Sequence, residues 1–159
     1  MFLLYFKMFE LIQQSVIVGG SGGEQFDGDQ FEEFSRDETT GIYKYFHAVE
    51  AVEAWYGKKA ICGIQLTFTD ALKMLFGKKE GICYGGIDLD YDNGEYIKSI
   101  SLWSNLAGTK CGGFQLKTNT GKDYFPRITT CLAREHIVDV GAGILIGVFG
   151  RHNSDIDAL

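Results

Sequence analysis

The stretch Val138–Leu159, VDVGAGILIGVFGRHNSDIDAL, decides how the chain reads. Its apolar run Ile144 to Phe149 is bounded by glycines, which predicts a buried strand. Where that strand ends, Gly150 to Asp157 supplies polar side chains and open backbone, and loops of this kind commonly carry function.

Working outward, the whole chain has 159 residues, 45% hydrophobic and 14% aromatic, enough for one domain with a substantial core. Twenty-one glycines stand against a single proline, and many short apolar runs lie between them. That pattern predicts an all-β chain with tight turns rather than a helical bundle. Net charge is −6 and the isoelectric point about 5.0. No broad basic face is available to neutralise phosphates, so nucleic acid is excluded as a partner.

Near the start, Phe2 to Ile12 is apolar but interrupted by Lys7 and Glu10, with no basic residues before it and no small-residue cleavage site. It is neither a signal peptide nor a membrane span. Ser15 to Val18 then predicts a short strand entering Gly19-Gly-Ser-Gly-Gly23, where glycine permits positive φ and close approach of another molecule to the backbone. Glu24 to Thr40 is acidic and reads as a solvated loop.

In the middle, His47 to Trp55 repeats Val49, Val52 and Trp55 every three residues, which propensity alone reads as helix. Ile61 to Phe68 alternates Ile64, Leu66 and Phe68 with Gln65 and Thr67, a strand with one wet face. Leu75-Phe76-Gly77 and Ile82-Cys83-Tyr84 flank a Lys-Lys-Glu-Gly turn and read as a strand pair. A further pairing runs through Glu95–Ser101 and Phe114–Phe125, with a turn at Thr118 to Gly121.

Several apparent motifs carry no chemistry. Asp88, Asp90 and Asp92 begin like a calcium loop, but Asn93 stands at the sixth position and Ser99 at the twelfth, so a hairpin turn at Asp92-Asn93-Gly94 explains them better. Gly141-x-Gly143 to Gly147 imitates a dinucleotide pattern, yet too little chain follows it for the helix and second strand that binding requires. Cys62, Cys83, Cys111 and Cys131 have no metal-ligand spacing. Reduced core thiols are the favoured reading, with disulfides left open. His47, His136 (in a loop after Glu135) and His152 lie in no nucleophile motif. No catalytic residue, cofactor or metal is expected.

The order of three motifs resembles a jacalin-related lectin domain: GGSGGEQFD at Gly19–Asp27, the central EYIKSISLWSN and FQLKTNTGKDYF, and the closing VFGRHNSDIDA. SLWSNLAGTK, DVGAGILIGVFGR and SDID are similar to the lectin module of natterin-like and aerolysin-like pore-forming proteins of fish. The resemblance implies a β-prism of three antiparallel Greek-key sheets over residues 16–159, with 1–15 as an extra apolar segment. It also places VEAVEAWYG on a strand.

By the same resemblance, Asp157 is the sugar-binding carboxylate, and the amides of Ser154 and Asp155 donate to ring and hydroxymethyl oxygens. The amide of Gly23 reaches a hydroxyl from the opposite loop, and Gly22 and Ile156 are counted among the binding residues. Asn153 stands where the family commonly has glycine. Trp103, Ser104 and Asn105 match a recognition loop that contacts further sugars. The implied partners are mannose-type glycans or glycoproteins, bound reversibly and without metal, with membranes reached only through their glycans. A protein-contact module with vestigial sugar loops is the alternative. The resemblance leaves an extracellular, vesicular or cytoplasmic setting open. The family continues past the Asp-Ala pair into a final strand, so Phe2 to Phe9 is expected to fill that position, within the chain or swapped in a homodimer.

Overall fold

A computed structural model of the chain describes residues 17–29 and 47–159. These residues form eleven strands and no α-helix. The first sheet, in order β1 (Glu24–Asp29), β10 (Gly147–His152), β11 (Ile156–Ala158), joins the two ends of the described chain. The second runs β4 (Lys73–Gly77), β3 (Ile61–Phe68), β2 (Val49–Tyr56), β5 (Cys83–Asp88). The third runs β8 (Asp123–Tyr124), β7 (Cys111–Thr118), β6 (Ile97–Asn105), β9 (Leu132–Val138). Every pairing is antiparallel. In the second and third sheets the fourth strand returns beside the first, which is the Greek-key order, and the whole is the three-sheet prism that the motifs implied.

One shared core explains why three sheets close on each other. Phe26 and Ile156 from the first sheet, with Val18 just before it, meet Val49, Val52, Ile64, Leu66 and Phe68 from the second and Ile97, Leu102, Phe114 and Leu116 from the third. Side chains alternate between faces along a strand, so each sheet turns one apolar row inward. Burying a side chain such as Phe68 contributes about 1.5–3 kcal/mol. Cys111 lies in this core, and burial pushes its thiol up to about 12. All four cysteines are free.

Val49–Tyr56 is a strand, against its helical spacing. Val49, Val52 and Ala54 are buried, and a bulge between Val49 and Ala51 shifts the register so that a three-residue step still points inward. The two segments around Lys-Lys-Glu-Gly are not partners. β4 pairs with β3 and β5 with β2, so they occupy opposite edges of their sheet, because the β2–β3 hairpin takes the two central positions.

The apolar run Ile144 to Phe149 is strand only from Gly147, and Ile144 is exposed. The backbone before Gly147 is committed elsewhere: the Ile97 amide donates to Gly143 O at 2.8 Å, the Val49 amide to Leu145 O at 2.8 Å, and the Leu145 amide to the Tyr91 hydroxyl at 3.0 Å. These bonds carry the chain from the third sheet to the first and leave no ladder for a strand. His136 lies on β9, exposed at the sheet edge, and not in a loop.

Asp92-Asn93-Gly94 is not a hairpin turn. Tyr91–Asn93 is a single 3-10 turn closed by Gly94 at φ 78°, and it links β5 in one sheet to β6 in another. Asp90 caps it, accepting from the Asn93 amide at 3.3 Å and from Asn93 Nδ2 at 2.7 Å. Among the described residues no group of three or more His, Cys, Asp or Glu is placed to hold a metal ion. Phe2–Phe9 lies outside the described residues.

Candidate functional site

The strand geometry of the first sheet brings the two singled-out stretches together. The Gly20 amide donates to Asp157 O at 2.8 Å, while Val18 and Leu159 exchange two backbone bonds of 2.8 and 3.1 Å. Gly19, at φ 135°, has no room for a side chain: an added Cβ would lie 2.3 Å from Asp157 O. The glycine turn therefore runs directly along the back of β11.

Arg151 fixes the far side of that turn. From β10 its guanidinium donates through Nε to Gly22 O at 2.9 Å and through Nη2 to Gly23 O at 2.7 Å. The planar fork of arginine matches two successive carbonyls in a way lysine cannot. Gly23 has φ 71°, and a Cβ there would sit 2.3 Å from Asp157 Oδ2 and 2.6 Å from His152 O. Glycine is required by both the backbone conformation and the neighbour.

Asp157 is on β11 rather than in a loop, and its residue is only 3% exposed. Oδ1 is paired with the ammonium of Lys110, while Oδ2 is buried and accepts no hydrogen bond among the described residues. A buried carboxylate oxygen without a donor costs stability, on the order of 1–3 kcal/mol. Such a cost is commonly found where a ligand completes the bonding.

The link between β10 and β11 is short. Gly150 to His152 belong to β10, so the connecting loop is Asn153 to Asp155, closed by the Asn153 amide donating to Asp155 O at 3.0 Å. Asn153 and Ser154 are exposed, and Ile156 is buried in the core beneath them. Among the described residues Ala71 alone, of the non-glycines, has positive φ, so Asn153 replaces glycine without a left-handed backbone. His152 packs its ring against Phe26 and Phe76, at 5.3 and 6.2 Å between centroids, and forms the apolar floor next to the loop.

Trp103, Ser104 and Asn105 lie on β6 rather than in a loop, which begins at Leu106. The Trp103 ring packs against Phe125 at 4.8 Å. Asn105 acts on the loop from its base: Oδ1 accepts from the amides of Thr109 (2.9 Å) and Lys110 (3.3 Å), and Nδ2 donates to Thr109 Oγ1 at 3.1 Å. This loop abuts the glycine turn, where a Cβ on Gly20 would fall 2.1 Å from Thr109 O.

Lys110 is the residue the sequence reading missed. Its Nζ pairs with Asp157 and lies 3.8 Å from Asp155 Oδ2. No spacing rule points to it, because it stands 47 residues from Asp157, in the loop between β6 and β7. Asp155 also faces Cys62, whose thiol is pushed up by burial and by the carboxylates of Asp155 and Glu80.

A family model described as a jacalin-like lectin domain matches residues 15–159. The lamprey immune protein is similar in structure, with 32% identity and a TM-score of 0.74 over 90% of this chain; the chain spans 41% of that protein's length. A Malaysian banana lectin variant is 25% identical with a TM-score of 0.65, the match covering 91% of each chain. The mannose-binding lectin from champedak shares the fold at 20% identity and TM-score 0.66, over 91% of this chain and 90% of that one. No curated protein sequence matches the chain.

Proposed function

Because the chain belongs to the jacalin-like lectin family, we propose that it binds carbohydrate reversibly at the junction of the Gly19–Gly23 turn, the Asn153–Asp155 loop and Asp157. The observation that carries the proposal is Asp157 Oδ2, buried, without a hydrogen-bond donor among the described residues, and faced by Gly23, where a side chain would collide with it. A sugar hydroxyl is a neutral donor of the right size for such an oxygen, and a hydroxyl-to-carboxylate bond is charge-assisted. The amides of Ser154, Asp155 and Gly23 supply donors for the ring and neighbouring hydroxyl oxygens.

Mannose or mannose-containing glycans are the ligand class in this reading, supported by the mannose-binding lectins among the similar structures. Binding needs no metal and no chemistry. A shallow polar site binds one sugar weakly, so avidity comes from multi-branched glycans or several copies. Within a longer chain, as with the lamprey protein, the module would direct its partner domain to glycosylated surfaces.

A glycan array followed by calorimetry with methyl α-mannoside, in chelator, tests this. Binding to mannose-terminated glycans that survives chelation supports it. No binding to any glycan would sink it in favour of a protein-contact module.

A further inference from the structure

We infer that Lys110 is a specificity-determining residue of the sugar site, one that makes this lectin read a pair of adjacent sugar oxygens as one donor and one acceptor. The inference rests on the carbohydrate-binding reading above. A carboxylate with both oxygens open accepts from two hydroxyls and is indifferent to what else they do. Here Lys110 already holds Oδ1 of Asp157, so Oδ2 alone remains for an incoming hydroxyl.

The ammonium itself is incompletely used. Lysine offers three N–H donors. One goes to Asp157, and Asp155 Oδ2, at 3.8 Å, is beyond hydrogen-bond range and attracts by charge only. The Lys110 side chain is 30% exposed against 4% for Asp157, so the cation stands at the mouth and the carboxylate behind it. A ligand hydroxyl that donates to Oδ2 therefore brings its ring neighbour beside Nζ, where that neighbouring oxygen must accept.

Charge narrows the ligand further. Asp155 and Asp157 are balanced by Lys110 and Arg151, so the site has no excess charge to draw a charged substituent. The class that fits is a neutral hexose with two adjacent free hydroxyls. Asn105 supports the arrangement by fixing the backbone of Thr109 and Lys110 from the end of β6.

The test titrates methyl α-mannoside and its four monodeoxy analogues into the wild type, Lys110→Met and Lys110→Arg. In the wild type two analogues should lose about tenfold or more: the one lacking the donor to Asp157 and the one lacking the acceptor for Lys110. In Lys110→Met, which keeps the stem and removes the charge, the second loss should vanish while the first persists; Lys110→Arg should retain both. Identical losses in wild type and Lys110→Met overturn the inference while leaving the lectin reading intact. A wild type that binds neither mannoside nor any other hexoside overturns both. Should Lys110→Met fold poorly, the ε-methylene resonance of Lys110 in the wild type decides: it should shift on saturation with mannoside, and an unmoved resonance overturns the inference.

Discussion

The guanidinium of Arg151 holds the carbonyl of Gly23 at 2.7 Å, tying β10 to a turn that begins the described chain. With its second bond to Gly22 it sets the path of the wall opposite Asp157. Arg151→Lys keeps the charge but cannot span both carbonyls. We expect affinity for mannoside to fall about tenfold, with a small change in melting temperature, because the side chain is only half-buried. Calorimetry beside thermal denaturation checks this; unchanged affinity would show that the turn is held by its other bonds.

Asp157→Asn separates function from stability. The unpartnered Oδ2 is a cost to the free protein, so the amide should leave the melting temperature unchanged or raise it slightly. Sugar affinity should drop at least tenfold as the charge-assisted acceptor is lost. A large loss of stability, of about 3 kcal/mol or more, would mean that the pairing with Lys110 outweighs the desolvation of the carboxylate.

Gly23→Ala and Gly94→Ala form a matched pair. Both glycines have positive φ, 71° and 78°, but a Cβ on Gly94 meets nothing within 4 Å. Gly94→Ala should cost about 1–2 kcal/mol of strain, and Gly23→Ala more, because its Cβ also overlaps the His152 carbonyl. Gly23→Ala should in addition abolish binding by forcing Asp157 aside, whereas Gly94→Ala should bind as the wild type does. Denaturant titration and calorimetry together read both quantities.

Glu95 predicts the response to acid. It is buried between the turn after β5 and the turn after β7. Burial works to raise its carboxyl, but Lys122, Thr120, the Asp90 amide and Thr118 outweigh it and bring it down from 4.5 to about 2. A folded value below the unfolded one means that its stabilisation is complete above pH 4.5 and is lost as pH falls from 4.5 toward 2. Glu95→Gln should be less stable at neutral pH and show a flatter decline across that window. Urea midpoints at stepped pH check it; an unchanged slope would assign acid sensitivity elsewhere.

Much of this architecture is legible in the chain because β structure writes itself locally. Ile64, Leu66 and Phe68 alternate, and all three are buried in one sheet face. The same locality limits the reading. Val49 and Val52 look helical because a bulge, set by pairing with β3, adds one residue to the period, while Trp55, the third member of the apparent repeat, lies on the opposite face from Ala54. Gln65 alternates as a wet position yet is buried, because Glu53 from β2 reaches over to accept from its Nε2 at 2.6 Å. β4 and β5 look like a hairpin because only the competing β2–β3 pair, invisible from their own turn, forbids it. At the candidate site the glycines and Asp157 carried a local signature. Lys110 carried none, since what defines it is a contact from the β6–β7 loop to a distant strand, β11.

The bonds that join Gly22 and Gly23 to Arg151 span about 128 residues of chain. Closing so long a loop is entropically late and slow, so the pairing of β1 with β10 should be among the last steps of folding. The proposed sugar site cannot pre-exist in a partly folded chain, since one wall, the carboxylate and the lysine arrive from three distant segments. Ligand should therefore slow global unfolding rather than merely quiet a loop, and immobilised mannose would retain only molecules that have completed the fold.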